Sequence, residues 1–284
     1  MPGNEVLANT LANKLNIEMG SVEIRTFPDG EYYVCIHSDV KDKTAILICT
    51  LNHPNDKILL LMFVAQTLKK LGANKIYLVS PYLPYMRQDK QFHPGEAVTS
   101  YLFATFVSTW LDGLITIDPH LHRIKKLSEI YSIPSISVLH ATKKIAEWIR
   151  QHVDSPFLIG PDEESKQWIN EVAEYANAPF VICKKIRYGD RNVEISIPEI
   201  KHLGSVPVLV DDIISTGTSM TVILQQLVSH GYKNSICISV HALFDDEVQQ
   251  NLIRAGATKI MTCNTIIHAS NQIDLTDDIA NCFY

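Results

Sequence analysis

The sequence predicts an α/β protein of two domains, each a mainly parallel sheet flanked by helices. Short apolar, β-branched runs alternate with longer helical patterns along the whole chain, the order that builds βαβ units. The 284 residues are 46% hydrophobic, enough for two cores of ordinary size. The stretches 66–80 and 225–239 also resemble each other as helix, stop glycine and strand, with Gln66 to Gly72 spaced like Gln225 to Gly231.

In the first half, strand-like runs fall at 22–25, 32–36, 45–49, 75–79, 114–117 and 136–139. Residues 56–71 have the length and composition of a helix that stops at Gly72, and 97–110 look like another. In the second half a helical pattern at 142–151 leads to a strand at 157–159 and a helix around 166–176. Strands follow at 180–183, 193–197, 206–210 and 236–240, with a helical pattern over 221–230. The boundary is expected near residue 145, giving domains 1–145 and 146–284. No Pro/Gly/Ser linker marks it.

Bulk properties exclude several classes. With 25 Lys and Arg against 31 Asp and Glu the net charge is −6, and no long basic run argues for nucleic acid as the main partner. Six cysteines without a C-x-x-C read as reduced core thiols of a cytoplasmic protein, not a disulfide framework. The N-terminus lacks the basic flank and apolar core of a signal peptide, and the longest apolar run, 58–65, is too short to span a bilayer.

The chemistry concentrates in V-P-V-L-V-D-D-I-I-S-T-G-T-S-M, residues 206–220. An apolar run ends in Asp211 and Asp212, and a hydroxyl- and glycine-rich loop, Ser215, Thr216, Gly217, Thr218 and Ser219, leads into a helix. Gly217 lets the backbone turn so that successive N–H groups converge on an anion at the helix N-terminus. Carboxylates upstream would repel a bare phosphate, so the pattern suits a sugar phosphate. Asp211 and Asp212 would take ribose hydroxyls and the loop the 5-phosphate. The plainer reading is a βα turn in which Asp211 and Ser215 cap a helix. Two adjacent acids followed by four hydroxyls favour the sugar phosphate.

Four further clusters carry polar groups. Phe27-Pro-Asp29-Gly-Glu31 is a tight-turn sequence between two strands. Arg87-Gln88-Asp89-Lys90 lies beyond the strand at 75–79, where ligands of open α/β sheets collect. Asp118-Pro-His120-Leu-His122 follows another strand, and its H-x-H pair is a weak metal signature. Gly160-Pro-Asp162-Glu-Glu164 offers Asp162 as a hard ligand for Mg²⁺ or as an acid at a helix start.

Taken in order, F-P-D-G-E, R-Q-D-K, D-P-H, G-P-D, K-K-I-R and D-D-I-I-S-T-G-T-S resemble the ribose-phosphate diphosphokinase family, nearer its archaeal-type branch. The match covers nearly the whole chain. The resemblance implies two phosphoribosyltransferase-like domains and a homo-oligomer, dimer or hexamer. It implies that Phe27, Asp29 and Glu31 meet the adenine of ATP on a neighbouring subunit, and that Arg87, Gln88, Asp89 and Lys90 bind ATP. His120 and Asp162 match positions that serve Mg²⁺ and its nucleotide. Lys185 and Arg187 match a catalytic pair on a mobile loop, with Arg187 also toward the sugar phosphate. Asp211, Asp212 and Ser215 to Ser219 match the ribose 5-phosphate site. Three departures stand out: Thr218 in place of a second glycine, Ser219 in place of threonine, and Glu164-Ser165 where small residues are common.

The implied reaction moves the diphosphoryl group of ATP to the C1 hydroxyl of ribose 5-phosphate, with Mg²⁺ and no covalent intermediate. A phosphoribosyltransferase would share the 206–220 signature but needs no ATP segment. A non-catalytic regulatory paralogue would not require Lys185, Arg187 and both aspartates together.

Overall fold

The apolar runs of the first half pair as a four-stranded parallel sheet in the order β3-β4-β5-β6: β3 (Thr44–Ile48), β4 (Lys75–Ser80), β5 (Gly113–Ile117) and β6 (Ser135–Leu139). Ahead of it come helix α1 (Glu5–Leu15) and an antiparallel hairpin, β1 (Val22–Thr26) with β2 (Tyr32–Ile36). Helix α2 (Ile58–Lys70) buries Leu60, Leu61, Val64, Ala65 and Leu68, one stripe at helical spacing. Each of these leucines and the valine contributes about 1.5–3 kcal/mol when fully withdrawn from water. Helix α3 (Thr99–Ser108) adds Phe103, Ala104 and Val107 to the same core. Gly72 ends the α2 turn at φ 91°, where a side chain would be strained, and Ala73 N–H donates back to Leu68 O at 3.0 Å.

The second half forms a six-stranded parallel sheet. Its strands are β7 (Pro156–Gly160), β8 (Phe180–Ile182), β11 (Val206–Ile214), β12 (Ser235–Ala242), β13 (Ala257–Cys263) and β14 (Asn271–Ile273), in the order β14-β13-β12-β11-β7-β8. A separate antiparallel hairpin pairs β9 (Lys184–Tyr188) with β10 (Asn192–Ser196). Helices α4 (Thr142–His152), α5 (Lys166–Ala176), α6 (Thr218–Ser229) and α7 (Asp246–Ala255) complete this half. The core gathers Phe157 and Ile159 of β7, Leu209 of β11, Ile223, Leu224 and Leu227 of α6, and Leu252 of α7. This computed structural model describes residues 1–188, 192–198 and 204–284, with the side chains of 185–188 and 192–194 outside that description.

Several boundaries differ from those the sequence suggests. The chain divides at Leu139/His140, not near 145, and Thr276–Tyr284, with helix α8 (Thr276–Ala280), return to the first unit. Two contacts explain the division. Helix α4, which buries Ile145 and Ile149, packs on α5, so the line must precede it. At the C-terminus the Tyr284 hydroxyl donates to Lys14 O at 2.9 Å, and Lys14 pairs with Asp277 at 2.5 Å. The helix expected from 56 starts at Ile58, after a 3-10 turn over Pro54–Asp56. The one expected at 97–110 is shorter, Thr99–Ser108, and α6 starts at Thr218, three residues earlier than its pattern. Strand β11 continues through both aspartates to Ile214, because pairing with β12 overrides the low strand propensity of Asp. Helices α1, α7 and α8 and strands β13 and β14 have no counterpart in the sequence reading.

Candidate active site

In the second unit the site starts where β11 stops pairing. Asp211 lies opposite Ser239 and Ile214 opposite Ala242, and Leu243 N–H donates to Ile214 O at 2.9 Å. The acids are therefore held by the sheet, with only Ser215 to Gly217 as loop. Gly217 caps α6 at φ 68°, and a Cβ there would approach Val248 Cγ1 to 2.9 Å. Glycine is required on both counts. The first helical bond is Thr221 N–H to Gly217 O at 2.8 Å, so the N–H groups before it point out of the helix end, an anion-binding arrangement. Thr218 occupies the first helical position, and its hydroxyl bonds Thr216 Oγ1 at 3.0 Å. A branched residue fits there because the backbone is helical, not left-handed.

The electrostatics of this edge are one-sided. Burial, then the charges of Asp212 and Asp162, push the Asp211 carboxyl well above the usual carboxylate range. Asp211 Oδ1 also accepts the Asp212 N–H at 3.0 Å. Asp162 follows β7 and caps a 3-10 turn, its Oδ1 accepting from Glu164 N–H at 3.2 Å and Ser165 N–H at 3.3 Å. Three carboxylates thus share one end of the sheet. Among the described residues no group of three or more His, Cys, Asp or Glu can hold a metal ion alone. The set fits a cation that arrives with phosphate oxygens, since Mg²⁺ commonly takes one or two carboxylates plus substrate phosphates.

In the first unit the carboxyl ends of β4 and β5 bring two loops together. The segment after β4 is anchored by buried Tyr82, Leu83 and Met86, and Ser100 donates to Gln88 O through N–H at 3.3 Å and Oγ at 3.1 Å. Arg87 and Lys90 are exposed, whereas Asp89 is buried. The loop after β5 turns at Asp118, φ 36°, whose N–H donates to Leu139 O at 2.9 Å. His120 and His122 share a ring-nitrogen hydrogen bond. Arg123 closes the cluster: its Nη1 lies 2.7 Å from Asp89 Oδ1, and its N–H donates to Oδ2 at 3.2 Å. That pairing holds the Asp89 carboxyl below its usual range against the opposing effect of burial. Sequence reasoning missed Arg123, and the cue was a cation directly after the H-x-H pair.

Phe27, Asp29 and Glu31 form the tip of the β1–β2 hairpin, where Phe27 N–H donates to Glu31 O at 2.7 Å and Glu31 N–H to Asp29 Oδ1 at 3.3 Å. Phe27 stays 46% exposed there. Lys185 and Arg187 lie in β9, paired in the ladder with Ile195 and Val193. Their side chains lie outside the described residues. The segment read as a loop over 184–192 is thus strand up to Tyr188.

Two parallel sheets, with an acid pair and an anion loop at a strand's carboxyl end, define a phosphoribosyltransferase-type α/β protein. Family comparison matches residues 1–110 to the N-terminal domain of ribose phosphate pyrophosphokinase and residues 129–278 to a phosphoribosyl transferase domain. A ribose-phosphate pyrophosphokinase of Saccharolobus solfataricus is 32% identical over 95% of this chain and 93% of its own. One from Methanobrevibacter smithii is 30% identical over 97% and 95%. The fold matches a crystal structure of phosphoribosylpyrophosphate synthetase from Mycobacterium smegmatis with TM-score 0.86 at 22% identity, covering 98% of this chain and 94% of that one. The chain belongs to the ribose-phosphate pyrophosphokinase family.

Proposed function

We propose that the chain transfers the β,γ-diphosphoryl group of ATP to the C1 hydroxyl of ribose 5-phosphate, giving 5-phosphoribosyl 1-diphosphate and AMP. The observation that carries this reading is the end of β11, where Asp211 and Asp212 stand beside a glycine-capped helix start. A carboxylate accepts from sugar hydroxyls while helix N–H groups take the 5-phosphate, so one edge orients the acceptor. The C1 oxygen then attacks the β-phosphorus, the bond to the α-phosphate oxygen breaks, and the hydroxyl proton leaves to solvent. Positioning and charge neutralisation do the work, and no enzyme nucleophile is needed.

Arg87 and Lys90 supply cations for the triphosphate in this reading, with Gln88 and His120 beside them. Lys185 and Arg187 neutralise the charge that develops during transfer. Mg²⁺ would be held by substrate phosphates, with His120 of the first unit and Asp162 of the second each a candidate protein ligand, and when bound it withdraws charge from the phosphate oxygens. The exposed Phe27 and its two acids suit the adenine of a neighbouring subunit, so the active form is a homo-oligomer, dimer or hexamer. Exposed Leu59 and Phe63 on α2 and Tyr101, Leu102 and Phe106 on α3 offer apolar faces for such assembly. Six free cysteines support a reducing, cytoplasmic setting, and no described helix is long and apolar enough to cross a membrane.

A coupled assay with ATP, Mg²⁺ and ribose 5-phosphate tests the reaction. AMP should form only when the sugar phosphate is present. Loss of 5-phosphoribosyl 1-diphosphate on adding a free base, with no ATP consumed, would mark a phosphoribosyltransferase instead. Nucleotide binding without turnover would mark a regulatory paralogue. Sedimentation at assay concentration tests assembly, and a fully active monomer would overturn it.

A further inference from the structure

Three charged groups, Asp89, Lys90 and Arg123, gather between the loops that follow β4 and β5, and they are exposed very unequally. The Asp89 side chain is 3% exposed, while that of Arg123, its partner, is 47% exposed. Both carboxylate oxygens are engaged by Arg123, one by the guanidinium and one by the backbone N–H. A carboxylate so enclosed cannot reach an incoming nucleotide. The cation that holds it can, because Nη1 alone makes that pair and half of the side chain remains in solvent. The guanidinium carries five N–H donors in a planar fork, a shape matched to phosphate oxygens.

Phe92 adds a second, independent observation. The residue is 54% exposed although its N–H is tied to Glu96 Oε2 at 2.7 Å. Arg123 Cζ lies 5.8 Å and Lys90 Nζ 5.0 Å from the ring centroid. The π-face of one aromatic side chain therefore attracts two cations at the solvent boundary. With the acid buried and Arg87, Lys90 and Arg123 all exposed, the outward face of the cluster is cationic. Its chemistry suits a polyanion.

We propose that Arg123 is a nucleotide-phosphate-binding residue and that Asp89 is its positioning residue, acting through the guanidinium without touching ATP. The inference rests on the ATP reading above and replaces the direct ATP contact assigned to Asp89 by resemblance. Asp89 spans 34 positions of sequence to fix Arg123, and so also fixes the loop that carries His120 to the one that carries Arg87.

Calorimetric titration of the full chain with a non-hydrolysable ATP analogue, and separately with ribose 5-phosphate, tests this on Arg123→Met, Arg123→Lys, Asp89→Asn and the Arg123→Met/Asp89→Asn double variant. Arg123→Met should weaken the analogue about 10–100-fold, a loss typical of a charge-assisted contact, and leave the sugar phosphate unchanged. Asp89→Asn should show the same split, the double variant should be no weaker than Arg123→Met, and Arg123→Lys should recover part of the affinity. Parent-like analogue affinity in Arg123→Met overturns the proposal, as does an equal loss for both ligands. Additive losses in the double variant would return Asp89 to direct contact and overturn it too. If Asp89→Asn does not fold, the Met and Lys variants of Arg123 decide. A parent protein that makes no AMP yet binds the analogue through Arg123 would sink the reaction reading and leave this inference standing.

Discussion

In the first unit α1 leads through the hairpin β1–β2 to β3, α2 and β4; in the second, α5 leads through β8 and the hairpin β9–β10 to β11, α6 and β12. The correspondence reaches single residues. Asn16 ends α1 at φ 52°, ψ 46°, and Asn177 ends α5 at φ 51°, ψ 48°. The next N–H bonds back five residues at 3.0 Å in both, Ile17 to Ala12 O and Ala178 to Ala173 O. Gly72 and Gly231 stop α2 and α6 at φ 91° and 89°. Buried Ser80 ends β4 and buried Ser239 lies within β12, each hydroxyl donating to the carbonyl two residues on, at 2.8 and 3.4 Å. One scaffold is used twice.

The copies separate at the turn into the second helix. Gly217 caps α6 and leaves its N-terminus open beside two acids. At the same point of α2 stands Lys57, whose ammonium donates to Thr50 O at 2.9 Å and Asn52 Oδ1 at 2.5 Å. Asn4 Oδ1 accepts the Thr50 N–H at 2.8 Å. The first turn is thus tied to a lysine and to Asn4, while the second opens on a glycine-capped helix start. Under the function proposed above, that difference decides which copy takes the sugar phosphate, since a loop closed on its own lysine has little left to offer one.

The largest expected effect tests the hairpins. Lys185→Ala should lose on the order of 10²–10³ in kcat, the usual cost of removing one pre-organised donor. Its affinity for ribose 5-phosphate should hold, and Lys184→Ala should keep most activity. Comparable kcat in Lys185→Ala and parent would make β9–β10 a plain hairpin. Next, Asp211→Ala should weaken ribose 5-phosphate by about 1.5–3 kcal/mol and leave ATP binding intact. Thr50→Ala in the closed turn should change neither. Calorimetric titration reads both, and an unchanged sugar-phosphate affinity in Asp211→Ala removes that acid from the site.

Much of this was legible in the sequence, for physical reasons. The alternation of strand and helix, the stop glycines and the acid-hydroxyl-glycine order are local patterns, and each survives folding. What escaped was set by tertiary pairing. β11 runs through two aspartates because β12 lies beside it, and α1 is held by a C-terminus some 270 positions away. The Asp89–Arg123 pair also escaped, because nothing in R-Q-D-K points to a partner 34 positions further on. The departure at Thr218 also became clear only once that residue proved helical.

Two acids of opposite environment give a paired test against pH. Asp89, held low by Arg123, contributes stability above the ordinary carboxylate pKa of about 4 that is lost as pH falls through its folded value. Asp211, raised by burial and its acidic neighbours, behaves inversely. Its protonated form is favoured on folding, so its contribution is complete below that pKa and is lost as pH rises through the folded value. With divalent cations chelated, Asp89→Asn should lower Tm at neutral pH and Asp211→Asn should raise it, by about 2–4 °C per kcal/mol. Both differences should shrink as pH falls toward about 3, below the reference value. A lower Tm for Asp211→Asn at pH 7 would contradict the crowded-acid picture.

The smallest expected effect lies where the copies differ in pairing. β11 has a neighbour on each side, β7 and β12, whereas among the described residues β3 pairs only with β4. Along the other side of β3, α1 and the C-terminal residues frame a mostly apolar cavity of about 610 Å³, lined by all five residues of the strand. Cys49 N–H donates to Val79 O and Lys43 O accepts from Asn74 N–H, so the odd-numbered residues face β4. By alternation Ile46 and Ile48 aim their N–H groups at the cavity, as Thr50 does at Asn4. In the second unit the matching edge is filled by β7, which pairs with β11 from Val206 to Leu209. Protection from exchange requires a bonded amide, which then exchanges only through local or global opening. In native-state hydrogen exchange, the Ile46 and Ile48 amides should therefore exchange at least about tenfold faster than Leu47, a difference of ~1.4 kcal/mol. Val208 and Leu209 should be protected alike. Equal protection across 45–48 would mean that the β3 edge is covered in solution, and the two sheets would then be closer copies than their pairing suggests.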